Sequence, residues 1–338
     1  MNCIRIKTLP TQIELQGSTT KHVPRCQMIE LQLDETLQEI YNAGIVEAKR
    51  LHGTREQTKF IECLAFMPNL YKAMTPQRGT AGLWRASSGL TAMTNRSSSS
   101  AAAAAAASQG QESKDPGVRS RESMESDMAK IVDGGLRFFY SAMQGGDSMM
   151  WPFPSCSAAW AQWLCCNSPI LSATISIIED AISQADLAAI LERSTPPAKR
   201  ILVIVPDNSI IRLLMVVGIH LASFQVKSLH QNASGPSIKD TAKWFTNRQD
   251  QCSGVLVTRL KEAEKLRAAI MVSSLSGSTE EFGMTGLSMF CRHGIIVQPP
   301  ISSQQFLRIL ALLPESSSVE WRCLSVKQTQ HDEYEFQL

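Results

Sequence analysis

From Arg200 to Pro314 the chain alternates short runs of β-branched and aliphatic residues with stretches of helical length, and few folds admit that pattern. Five runs read as strands: ILVIV (Ile201–Val205), FQVKSLH (Phe224–His230), GVLVT (Gly254–Thr258), AAIMVSS (Ala268–Ser274) and GIIVQ (Gly294–Gln298). Most are continuously apolar, as strands of a parallel sheet covered on both faces must be. Between and after them the spacing predicts helices over Asn208–Ala222, Ser237–Arg248, Leu260–Leu266, Thr279–Met289 and Ser302–Leu313. Repeated strand–helix–strand units joined by right-handed crossovers give an α/β, doubly wound parallel sheet. Such sheets bind ligands at the carboxyl ends of their strands. That directs attention to Pro206–Ser209, His230–Ser237, Thr258–Glu262 and Ser274–Thr279.

The rest of the 338 residues divides by composition. Ser97–Ser108 reads SSSSAAAAAAAS and runs into a polar stretch with too little apolar surface to offset chain entropy, so residues 96–125 read as a low-complexity linker. Before it, residues 1–95 read as mainly helical. Ile29, Leu33, Leu37, Ile40, Tyr41, Ile45 and Ala48 mark an amphipathic helix over Met28–Leu51, and KFIECLAFMPNLYKAM follows as a second apolar segment. Residues 126–198 are rich in Met and aromatics, residues 199–316 form the α/β lobe, and residues 317–338 read as a tail. Trp151, Trp160 and Trp163 could stack bases, but their apolar neighbours favour packing.

Thirty-three Lys plus Arg against thirty-one Asp plus Glu leave a formal charge of +2, so polyanion binding would have to be local. The nine cysteines form no CxxC pair and predict neither a disulfide framework nor a metal site, which fits a reducing compartment. No run of about 18 uncharged apolar residues occurs, so no membrane partner is expected.

Four segments, taken in order, carry a resemblance to a known family. RILVIVPDNSIIRLL resembles the strand and helix near motif IV of the DEAD-box group of superfamily 2 RNA helicases, and QVKSLHQNAS resembles the strand ending in a Leu-His-Gly turn. GVLVTRL is similar to motif V, and AIMVSSLSGSTEEFGMTG to the approach to motif VI. Upstream, PILSATISIIEDAI resembles the Ser-Ala-Thr motif that couples the two helicase lobes. The resemblance implies a RecA-like fold of the helicase C-terminal type, with residues 126–198 similar to part of a first lobe.

The residues that would hydrolyse ATP are missing. EEFGMTGLSMF lacks the arginines that stabilise charge developing on the γ-phosphate, and Thr258 is followed by Arg259 rather than Asp. Ser157, Ala158 and Ala159 lie where a phosphate-binding loop would be, with Ala158 and Ala159 replacing its Gly and Lys, so they mark a degenerate ATP site. No Asp-Glu-Ala-Asp sequence occurs to hold magnesium. No catalytic residue and no cofactor is therefore expected; ATP and Mg would apply only to an active helicase of which this chain is part.

Such a core resembles the Tudor-domain helicase-like Yb group of the germline small-RNA (piRNA) pathway. That resemblance implies RNA as partner, protein partners in silencing granules, no DNA, and a cytoplasmic, perinuclear location. Asn208, Ser209, Thr258 and Arg259 are the candidate RNA-backbone contacts, although Asn208 and Ser209 also sit where a helix N-cap belongs. His230 reads as a turn residue, Glu280 and Glu281 as a helix start, and Cys165 and Cys166 lack metal-site spacing. The alternatives are a weakly active helicase and a protein-interaction platform that does not bind RNA.

Overall fold

The computed structural model describes residues 5–8, 25–50, 54–74, 136–143, 153–191, 199–229, 233, 235–247, 253–275, 291–313 and 319–335. In chain order these form β1 (Arg5–Thr8), β2 (Arg25–Leu31), α1 (Glu35–Ala48), α2 (Thr54–Phe66), α3 (Leu70–Met74) and α4 (Arg137–Met143). Next come α5 (Ser157–Asn167), α6 (Pro169–Leu191), β3 (Arg200–Ile204), α7 (Ser209–Leu221), β4 (Gln225–Ser228) and α8 (Gly235–Thr246). The chain closes with β5 (Gly254–Thr258), α9 (Leu260–Leu275), β6 (Cys291–Ile296), α10 (Ser303–Leu310), β7 (Glu320–Val326) and α11 (Gln330–Glu335).

The strands form a single sheet in the order β1-β2-β7-β6-β3-β5-β4. Only β1 is antiparallel, against β2; every other neighbouring pair runs parallel. The fold class is thus α/β, a doubly wound parallel sheet, and the lobe expected over residues 199–316 corresponds to β3–β6 with their helices. Every residue of β3 and of β5 is buried, as the continuous apolar runs required. On one face Leu202, Ile204, Leu256 and Ile296 pack with Phe245, Leu266 and Ile309 from α8, α9 and α10. On the other, α7 packs along β4 and β5, and α6 against β7. Gly218 lets α6 and α7 approach closely, since a Cβ there would overlap the Leu171 side chain.

Three expectations change. AAIMVSS belongs to the helix α9, where Leu260, Ala263, Leu266 and Ile270 are buried at three- and four-residue intervals and Lys261 and Lys265 face solvent. The helix expected from Met28 begins only at Glu35, because Asp34 caps it: its Oδ1 accepts from the Leu37 N–H at 2.8 Å. Met28 itself lies in β2, which pairs with β7, so the expected tail supplies a strand inside the sheet. Likewise the Ser-Ala-Thr segment (Ser172, Ala173, Thr174) lies within the helix α6, where the Thr174 hydroxyl donates to the Ile170 carbonyl. The linker, the helix expected over Thr279–Met289, Trp151, His230, Glu280 and Glu281 fall outside the described residues.

By contact the chain divides into Met1–Pro68 with Cys156–Leu338, which holds the sheet, and Asn69–Ser155. In the second unit α3 packs on α4, and Phe153 packs its ring 5.4 Å from Tyr140 and under the Arg137 guanidinium.

Fully buried His331 on α11 should make the stability of the fold depend on pH. Its Nδ1 accepts from the Val326 N–H at the end of β7, and burial pushes its pKa down to about 3. A base depressed this way contributes its full stability above its ordinary value of 6.5 and loses it as pH falls toward 3. Stability should therefore fall by about 1.4 kcal/mol per pH unit below that value, with half-buried His293 on β6 acting in the same direction. Urea titrations between neutral and acid pH check this. A His331→Asn chain, whose amide oxygen can still accept from Val326, should give a flatter profile; an unchanged slope would show that another group controls it.

Candidate functional site

The carboxyl ends of β3, β5 and β6 converge on one polar cluster. After β3 the chain turns through Val205, Pro206, Asp207 and Asn208 into α7; after β5 it passes directly from Thr258 through Arg259 into α9. The connections of β3 and β6 lead to opposite sides of the sheet, β3 toward β4 and β6 toward β7, so the gap between those strands is the topological switch point where ligands sit in such folds.

Asn208 is 3% exposed and fully engaged. Its Oδ1 caps α7 by accepting from the Ile210 and Ile211 N–H groups. Its Nδ2 donates to the Lys59 carbonyl at 2.9 Å and to Glu62 Oε2 at 3.1 Å, both on α2. Glu62 also shares a hydrogen bond with Gln298 just beyond β6, and burial raises its pKa against the lowering effect of these two amides. Cys63 beside it is buried, and its thiol is pushed up to about 12 by burial, so it is a packing residue rather than a nucleophile. One turn of α2 thus closes the switch point. Ser168, ahead of α6, holds the far end of α2 by donating to the Phe66 carbonyl at 2.6 Å.

Thr258 is 0% exposed, and its hydroxyl donates to the Arg259 carbonyl. Arg259, 8% exposed, donates Nε and Nη2 to the two oxygens of buried Glu262 at 2.9 and 2.6 Å, and Nη1 to Asp207. Burial alone would lower the Arg259 pKa, but its bonds to Glu262 and Asp207 raise it. Burial alone would likewise raise the Asp207 carboxyl; Arg259, Lys59 and Arg55 bring it below its ordinary range.

The four residues selected from the sequence as RNA contacts are therefore brought to one edge of the sheet. Three of them, Asn208, Thr258 and Arg259, turn inward and bond within the fold, while Ser209 is half-buried as the first residue of α7. Ser157, Ala158 and Ala159 form the first turn of α5, behind Cys156 and a stretch, Phe153–Ser155, that joins no strand. Trp160 is buried and packs edge-on against Trp163 at 5.6 Å, which is packing rather than a stacking platform. Among the described residues no group of three His, Cys, Asp or Glu side chains could hold a metal ion, and no helix is long and apolar enough to cross a membrane.

Sequence reasoning missed Glu62, Arg212, Glu262 and Gln298. Only Glu262 had a local signal, an acid three residues after Arg259 at the start of a helix.

No family model and no curated protein matches the chain. Among solved structures, the crystal structure of the C-terminal part of the Fun30 ATPase domain is similar over 94% of this chain and 90% of that one, at 12% identity and a TM-score of 0.48. This likeness is distant, and the fold assignment above rests on the strand order and register.

Proposed function

We propose that this protein is a helicase-like scaffold without ATPase activity, one that meets RNA or protein partners in germline small-RNA silencing, in cytoplasmic granules. One observation carries the loss of hydrolysis: Arg259, the arginine at the motif V-like turn, is held in a fork by Glu262 and covered by Asp207. A transition state on a γ-phosphate needs positioned, unneutralised cations and a metal-holding acid. The drifted EEFGMTGLSMF segment and the Ser157-Ala158-Ala159 turn add no cation to replace Arg259. The silencing role rests on the order of the helicase-like segments and on their lost charges.

The test is ATP hydrolysis by the purified full chain, with and without single-stranded RNA. No turnover above a buffer control is expected in either case. RNA-stimulated hydrolysis would overturn the proposal and favour an active helicase instead. Crosslinking to RNA in cells separates an RNA-bound scaffold from a platform that meets only proteins.

A further inference from the structure

At the end of the sheet where its parallel strands begin, the fold gathers charge of one sign. β3 is entered through Lys199, β6 carries Arg292 and His293 at its second and third positions, and β7 carries Glu320 and Arg322 at its first and third. β6 runs parallel between β3 and β7, so these residues share one rim. The β3–β6 register slips there: Arg200 lies opposite Cys291 but Ile201 opposite His293, and Arg292, passed over, is exposed. Such a bulge re-aims a side chain at the margin of a sheet. His293 in turn lies opposite Glu320, and Ile295 opposite Arg322.

Half-buried His293 records how the charges converge. Its pKa is lowered first by burial and then by Lys199; Arg322 and Arg292 act in the same direction, and Glu320 opposes them. Lys199 also donates to the Ala181 carbonyl of α6 at 3.1 Å, a neutral acceptor that fixes its position. Glu320 meets Arg322 only at 3.7 Å and its side chain is 53% exposed, a loose pair that water screens. Cations gathered in this way repel one another, and an anionic partner would remove that repulsion.

We propose that the amino-terminal rim of β3, β6 and β7 is a docking surface for the phosphate backbone of single-stranded RNA, contacted by Lys199, Arg292 and Arg322 with His293 among them. Neighbouring strands lie about 4.8 Å apart, so the cations follow one another across ~10 Å, as successive phosphates of one strand do. A phosphate backbone needs only cations and hydrogen-bond donors, whereas a protein partner needs an apolar anchor as well. Among the described residues the exposed large hydrophobics are Val46, Met271 and Ile301, none of them on these strands. Trp321 of β7 is buried, so bases find no indole to stack on and binding should be insensitive to sequence. This surface deepens the RNA reading above and rests on it.

The test titrates the full chain with a fluorescent oligouridine at several salt concentrations, as wild type, Arg292→Gln and Arg292→Gln/Arg322→Gln. Each lost cation should weaken binding about fivefold and reduce the salt slope by about 0.7. By proton NMR, oligouridine should raise the pKa of the imidazole whose signal is absent from His293→Gln, which RNA bound at a distant surface would leave unmoved. If the double variant keeps its thermal midpoint and binds like wild type, the surface is wrong while the RNA reading stands. If the wild-type chain itself does not bind oligouridine, the surface and the RNA reading fail together. Polyglutamate that displaces oligouridine as well as unlabelled oligouridine does, at equal charge, makes an acidic protein the partner and also overturns the proposal. Should the double variant not fold, Arg292→Glu on the exposed bulge decides alone, and unchanged affinity sinks the surface.

Discussion

Replacing Trp321 with alanine should lower the free energy of unfolding by about 3–5 kcal/mol, read as a lower urea midpoint at unchanged slope. Trp321 is among the largest fully buried side chains and lies on β7 opposite Gly294 of β6. Its ring fills the space that a side chain at Gly294 would occupy: a Cβ there would overlap three ring carbons. The ring nitrogen has no hydrogen-bond partner, so truncation loses packing and leaves a cavity but breaks no polar bond. The complementary change, Gly294→Ala, should cost about 1–3 kcal/mol through overpacking, because the ring is enclosed and cannot swing aside. Trp321→Leu in the same chain should recover part of that loss, a non-additivity expected of touching residues. A Trp321→Ala chain as stable as wild type would refute this account of the β6–β7 junction.

Arg259→Met should destabilise the fold by a similar amount, about 3–5 kcal/mol, because it strands the Glu262 carboxylate in the interior without its counter-ion. The double change Arg259→Met/Glu262→Leu should cost far less, since both charges leave together and apolar volume replaces them. Denaturant curves for wild type, both singles and the double complete the cycle. A double variant as unstable as Arg259→Met alone would mean that the ion pair is not what holds this corner. Exposed Asp207 enters weakly, because water screens its pairing with Arg259.

How much the sequence disclosed depended on whether a segment's partners lie nearby along the chain. β3 and β5 were legible because Ile201–Val205 and Gly254–Thr258 are unbroken apolar runs, as strands buried on both faces must be. α9 was misread in part because its last turns contain AAIMV, whose apolar density looks strand-like; the charged residues earlier in the same helix set the true period. β2 and β7, RCQMIEL and EWRCLSV, mix polar with apolar residues, and each makes sense only beside the other, far along the chain. The same logic governs the site. The turns carrying Asn208 and Arg259 followed from strand ends, but their engagement by Glu62 depends on α2, which no local pattern connects to the lobe. Burial separates a loop cation that meets solvent from one that meets a carboxylate, and burial is a property of the assembled fold.

The pairing of β2 with β7 also sets an order of events during synthesis. Arg25 lies opposite Glu320 and Leu31 opposite Val326, so the ribosome must pass β7 before β2 has a neighbour on that side. Until then β6 and β2 each present an open row of backbone donors and acceptors, a template for joining another chain. A nascent or prematurely terminated product lacking β7 should therefore be a substrate for chaperones and proteases, even though every element of β3–β5 is already made. β7 would thus act as a quality checkpoint: only chains that have reached it can cover the facing edges of β2 and β6.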